Sequence, residues 1–280
     1  MGTAALGLFL AAGCSGSTQS DGDEQVSYAT DTTMAELAQA GSIRIGVKTD
    51  VPDVGYRASG VADPTGFDVE IAKLVAAELG ITGEGIDWVS MTTSGRVKSL
   101  LDDDVDLVIA TFSITPERSE KVGQAGPYYL TGQQLMVRND EDDILDVDDM
   151  ADKSVCSVEG STSNEAIVAK GANSVEYDSY ALCIEALLDG DLDAVSTDGA
   201  ILAGFIKMYP DELRITGLPF TAERYGIGYK PGDEAMCNFL RDVLLQAYDD
   251  GTWKAAYEST LGADGIEAPI PPMPDECPAS

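Results

Sequence analysis

The sequence predicts an α/β protein of two lobes, each built on mostly parallel strands flanked by helices, with a cleft between the lobes and two crossing strands as hinge. Three observations carry that prediction. Apolar segments of strand character alternate with segments of helical period along most of the chain. The alternation completes one β-α-β-α-β series, changes register near residue 133, and starts again. A strand-like segment near residue 225 then precedes the last long helix, in the position of an element returning to the first lobe.

The elements follow in order. Residues 42–48 (SIRIGVK) read as a strand, and residues 68–79 place Val69, Ala72, Leu74, Val75 and Leu79 near helical spacing ahead of the stop signal Gly80. Residues 85–89 read as a strand, 95–101 as a helix and 105–110 as a buried strand. The second run has strands at 133–138, 154–158, 175–177, 192–196 and 214–217, with helices at 161–170, 179–188 and 200–208. A strand at 225–229, a long amphipathic helix at 234–249 and a short helix at 253–260 close the pattern. Crossings are expected near 133–138 and 220–229, so residues 41–135 plus 224–261 form lobe one, 136–223 lobe two and 262–280 a Pro-rich tail. A cleft between two such lobes is where a small molecule binds, and hinges at strand ends let it close.

The bulk composition narrows the function classes. The chain has 280 residues and a formal net charge of −32, which argues against nucleic-acid binding. It has no histidine, so the usual general base and metal ligand are missing. No cofactor or metal is expected. With 17 lysines and arginines for the whole surface, each cation in a pocket stands out.

The N-terminal stretch 4–12 is small and apolar and too short to span a bilayer, so residues 1–13 read as a signal peptide. Leu10-Ala11-Ala12-Gly13 before Cys14 resembles a lipobox, which implies a lipid on Cys14. Residues 14–40 are then the lipidated cysteine and a flexible tether, by the Ser, Gly and Asp content of 15–23. Cys156, Cys183, Cys237 and Cys277 allow three disulfide connectivities. Cys156–Cys183 would close a loop within one segment, and Cys237–Cys277 would pin the tail to a helix. No CxxC pair or histidine accompanies them, so they do not read as a zinc site.

Three stretches carry the candidate chemistry. In residues 110–130 a buried strand ends at Ala110, and the hydroxyls of Thr111, Ser113 and Thr115 lead to Arg118. A guanidinium beyond a strand end can hold a carboxylate by two parallel bonds; the plainer reading is a helix cap with a surface arginine. In residues 156–164 a strand runs into Gly160-Ser161-Thr162-Ser163 and a helix, a turn suited to an anion or simply to capping. In residues 192–198 an apolar strand ends at Asp198, a counter-ion for an amine or an N-cap.

The order and spacing of these stretches resemble the polar-amino-acid branch of bacterial ABC-transporter substrate-binding proteins, from about residue 41 to 261 and including GFDVEIAKLVAAELG at 66–80. The resemblance implies a periplasmic-binding-protein-like fold. It gives Arg118 the ligand's α-carboxylate, with Thr111 and Ser113 beside it, Ser161 and Thr162 in the second-lobe turn, and Asp198 on the amine. GVKTDVPDVGYR at 46–57, the pair Cys156 and Cys183, and ERYGIGYK at 223–230 are similar to the glutamate-binding lipoprotein subgroup.

Two further loop cations, Lys48 and Arg96, make the physical case for a dicarboxylate, with Arg57 as a possible fourth; their plainer role is pairing with Asp50 or Asp87. The resemblance thus implies a monomer, anchored to the outer face of the cell membrane, that captures L-glutamate and presents it to an ABC-transporter permease. Aspartate, glutamine or another polar amino acid are alternative ligands. A dehydratase-like enzyme using Glu159 or Glu165, and a ligand-sensing ectodomain, are alternative functions on the same scaffold.

Overall fold

The computed structural model describes residues 1–2 and 28–278. The expected signal peptide beyond its second residue, Cys14, and the tether as far as residue 27 lie outside the described residues. The rest of that tether is not loose. Helix α1 (Thr33–Ala40) starts where Thr32 Oγ1 accepts the Ala35 N–H at 3.3 Å and ends at Gly41, whose φ of 65° is the left-handed conformation of a helix stop. Met34 and Leu37 are the buried side of this helix.

The first lobe continues with β1 (Ile43–Val47), the short hairpin β2 (Asp50–Val51) and β3 (Gly55–Tyr56), α2 (Phe67–Glu78), β4 (Ile86–Ser90), α3 (Gly95–Leu101), β5 (Leu107–Val108), α4 (Pro116–Ser119) and β6 (Gly123–Thr131). The second lobe holds β7 (Gln133–Arg138), β8 (Ser154–Val158), α5 (Thr162–Ala169), β9 (Asn173–Tyr177), α6 (Tyr180–Leu188), β10 (Ala194–Asp198), α7 (Gly199–Met208) and β11 (Leu213–Thr216). Strand β12 (Glu223–Tyr229) returns to the first sheet, and α8 (Glu234–Asp250) and α9 (Thr252–Glu258) pack on that lobe.

The first sheet has the order β4-β1-β5-β12-β6 and the second β11-β7-β10-β8-β9. The parallel pairing expected from the β-α-β pattern holds for β4-β1-β5 and for β10-β8-β9. The crossing strands and their neighbours run the other way, so each sheet is mixed. Sheet membership changes at Gly132, ahead of the expected boundary after residue 135, because Gln133 already pairs with Asp198 in the second sheet. Glu223 likewise belongs to the first sheet, opposite Thr131. A Cβ on Gly132 would lie 2.7 Å from the Thr221 carbonyl, so only glycine lets the two crossings pass this closely.

Strand β1 lies between β4 and β5 and against α2: Ile43, Ile45 and Val47 are fully enclosed, each contributing roughly 1.5–3 kcal/mol. Phe67 meets Trp253 edge-on at 5.7 Å, which ties α2 to α9. The disulfides are Cys156–Cys183, joining β8 to α6, and Cys237–Cys277, joining α8 to the tail. The tail is further held by the Asp275 N–H on the Gly126 carbonyl at 2.7 Å and by the Arg224–Asp275 ion pair. No helix among the described residues is long and apolar enough to cross a membrane.

Candidate ligand site

Three strand-to-helix junctions of the second lobe, β8 to α5, β9 to α6 and β10 to α7, meet the ends of β4 and β5 in the first. They enclose a cavity lined by Thr93, Arg96, Thr111 and Ser113 on one side and by Ser161, Thr162, Ser163, Tyr180, Asp198 and Ile201 on the other. This is the carboxyl side of the strands, where open α/β sheets bind ligands. The cavity measures about 10 Å³, the room of one water. A wider space of about 490 Å³ adjoins it, sharing Thr93 and Thr162 and lined also by Phe112, Arg118, Glu159, Gly160 and Glu165. The lobes are closed on each other more tightly than an amino acid beside Asp198 allows, so such a ligand would enter with them parted and replace the Arg118–Gly160 contact.

Of the expected site residues, Arg96, Thr111, Ser113, Ser161, Thr162 and Asp198 line the inner cavity. Arg96 is 2% exposed and donates to the carbonyls of Thr93 (2.9 Å), Ala110 (3.0 Å) and Thr111 (2.7 Å). Its guanidinium lies 4.8 Å from the Phe112 ring centre. Burial, then repulsion from Arg118, lowers its pKa to about 9. Arg118 lines the outer space instead. It is half-buried, donates to Ser113 O at 2.8 Å and crosses to Gly160 O of the second lobe at 3.0 Å. The capping reading of its stretch also holds, since Thr115 Oγ1 accepts the Arg118 N–H at 3.2 Å.

Lys48 is 1% exposed and sits one residue behind the cavity wall. Its Nζ is 3.3 Å from Thr93 Oγ1 and 3.3 Å from Asp50 Oδ1, so the pairing with Asp50 foreseen as the plainer role is present. Burial pushes the ammonium's pKa down, and Asp50 opposes that shift. Arg96 pairs with neither Asp50 nor Asp87. Arg57 is not a fourth site cation: it donates to the Trp88 carbonyl at 3.4 Å and lines neither space.

Asp198 opens α7 but its side chain makes no capping bond. Its Oδ2 accepts the Tyr225 hydroxyl at 2.6 Å, while Oδ1 is buried without a hydrogen-bond partner. Burial and the charge of Glu223 raise its pKa to about 7. Ser161 does cap α5, accepting the Asn164 N–H at 3.0 Å and donating to Val158 O at 2.7 Å. Thr162 Oγ1 donates to Glu223 Oε2 at 3.0 Å.

Thr111 carries a φ of 46°, a strained conformation for a β-branched residue costing about 1–3 kcal/mol. Asp68 holds it there, accepting the Thr111 N–H at 2.7 Å and the Tyr128 hydroxyl at 2.6 Å. Asp68 is wholly buried, and that burial raises its pKa to about 7 against those two bonds. The site thus sets buried cations on the first lobe against a buried carboxylate on the second.

Residues 43–263 match the model of bacterial extracellular solute-binding proteins, family 3. The chain belongs to that family. It is 36% identical over 238 residues to the glutamate-binding protein GluB of Corynebacterium glutamicum, covering 81% of this chain and 80% of the relative. It is 33% identical over 263 residues to the ABC transporter glutamine-binding protein GlnH of Bacillus subtilis, covering 93% and 95%. Among solved structures, an ancestral amino-acid-binding protein, a precursor of cyclohexadienyl dehydratase, superimposes with a TM-score of 0.75 at 28% identity, covering 82% of this chain and all of the other (100%).

In this solute-binding protein the sequence reading did not single out Thr93, Tyr180, Tyr225 and Glu223. Tyr180 is the first residue of α6, directly after its Ser179 cap, a position as close to the cleft as Thr162 is on α5. Glu223 and Tyr225 lie in the quoted ERYGIGYK stretch, at the start of the returning strand. That position on a crossing was the available signal.

Proposed function

We propose that this solute-binding protein captures an L-amino acid, L-glutamate in preference to others, by closure of its lobes, and that it presents the closed form to an ABC-transporter permease. The observation that carries the reading is Asp198 Oδ1, a buried carboxylate oxygen without a partner on a residue lining the cavity. A buried acceptor left unpaired costs about 1–3 kcal/mol, more when charged, and an α-ammonium removes that cost. Arg118 then takes the α-carboxylate. To do so it exchanges its Gly160 contact for the ligand, which bridges the same two lobes.

A ligand held from both lobes favours the closed state because only that state offers both sets of contacts. Three or four bonds to charged groups, at roughly 1.5–3 kcal/mol each, supply a micromolar affinity after the costs of association. The similarity to GluB supports glutamate, and the buried ammonium of Lys48 behind Thr93 supports an acidic distal group. The protein binds without turnover in this reading, which the similarity to glutamate- and glutamine-binding relatives supports. A lipid on Cys14 would hold it at the outer face of the membrane, as a monomer.

Lys48→Met is expected to lower the ratio of glutamate to glutamine affinity roughly tenfold or more, with glutamine binding little changed. Calorimetry with both amino acids measures it, and an unchanged ratio rejects Lys48 as the residue that selects the distal carboxylate.

A further inference from the structure

Asp50 is the one carboxylate in contact with Lys48 among the described ion pairs, and it spends its two oxygens on different lobes. Oδ1 lies 3.3 Å from Lys48 Nζ in the first lobe. Oδ2 accepts the Tyr180 N–H, the first amide of α6 in the second lobe, at 3.2 Å. Helix α6 carries its positive end there, so the contact is favourable in sign. Asp50 is held for this by β2, which pairs Asp50 with Tyr56. Tyr180 itself lines the inner cavity, so the clasp closes over the same end of the cleft that Lys48 backs.

We propose that Asp50 is a positioning residue that limits how strongly the site selects an acidic ligand, by occupying Lys48 on one lobe while gripping the start of α6 on the other. The inference rests on the glutamate reading. The physical reason is competition for one buried ammonium. With the Asp50 carboxylate 3.3 Å away, the Lys48 ammonium already has a partner, and a ligand's distal carboxylate must share it and lie near a second carboxylate. A neutral amide at the same place meets no such repulsion. The Tyr180 contact acts differently: it favours closure whatever the ligand, so its loss weakens every ligand alike.

The test is calorimetry of glutamate and glutamine on the full chain and on Asp50→Asn, with Asp50→Ala as a second variant. Removing the charge is expected to raise the ratio of glutamate to glutamine affinity roughly threefold to tenfold in both variants. Any loss of closure lowers both affinities together and leaves that ratio untouched. An unchanged or reduced ratio overturns the role given to Asp50. Should the unaltered protein bind neither amino acid, the glutamate reading itself fails, and the inference falls with it.

Discussion

Replacing Arg118 with alanine is expected to lower the affinity for glutamate by at least ~100-fold, the largest loss of any single change at the site. Two contributions add: the charge that attracts the α-carboxylate and the planar fork that holds it, two bonds to a charged group being together worth about 3–6 kcal/mol. The contact with Gly160 O at 3.0 Å does not enter this loss, because it is exchanged for the ligand on binding. Arg118→Lys separates the two, because a lysine keeps the charge but not the fork. Calorimetry on both variants checks this, with the lysine variant expected to recover only part of the loss. Full recovery would mean that charge alone matters there.

Asp198→Asn is expected to cost a comparable ~100-fold in affinity while leaving the fold intact, since asparagine can still accept the Tyr225 hydroxyl that Asp198 Oδ2 accepts at 2.6 Å. It also carries a pH signature. The Asp198 carboxyl titrates at about 7, raised by burial and by Glu223. An incoming ammonium favours the ionised form and lowers that value. Affinity is therefore full above pH 7 and falls as pH drops through it, by up to roughly tenfold per unit, until the lowered value of the complex is reached. Titrations between pH 5 and 8 are expected to show this slope in the unaltered protein and a flat response in Asp198→Asn. Asp68, also raised to about 7, acts in the other direction on folding. Its folded value lies above the unfolded one of 3.8, so its contribution to stability is most favourable below the unfolded value and is lost as pH rises through about 7.

Much of this architecture is legible in the sequence because it rests on local pattern. The helical period at 68–79 and the apolar run before Ala110 each specify one element by spacing alone. Strand β6 was not legible: Gly123, Gly126 and Pro127 interrupt the alternation that marks a strand, and only pairing with β12 reveals it. Helix α1 was hidden behind the polar composition that precedes it, although Thr32 and Gly41 mark its ends.

The site divides in the same way. Arg118, Thr111 and Ser113 follow a strand end and Asp198 closes one, so position makes them candidates, and the family resemblance gives them their roles. Asp50, Tyr180 and Tyr225 acquire their meaning from partners far away in sequence: Asp50 reaches Tyr180 across 130 residues, and Tyr225 reaches Asp198 across 27. Such pairings depend on the closure of two lobes, which no local spacing encodes.

The central claim is that closed lobes recognise a free α-amino acid with an acidic side chain. A thermal-shift panel of the twenty amino acids on residues 28–278 tests it most directly, because at equal concentration a ligand that binds the native state more tightly raises the melting temperature further. L-Glutamate is predicted to give the largest rise, with glutamine and aspartate next. A larger rise with arginine or cysteine, or no rise with any of the twenty, would contradict the account.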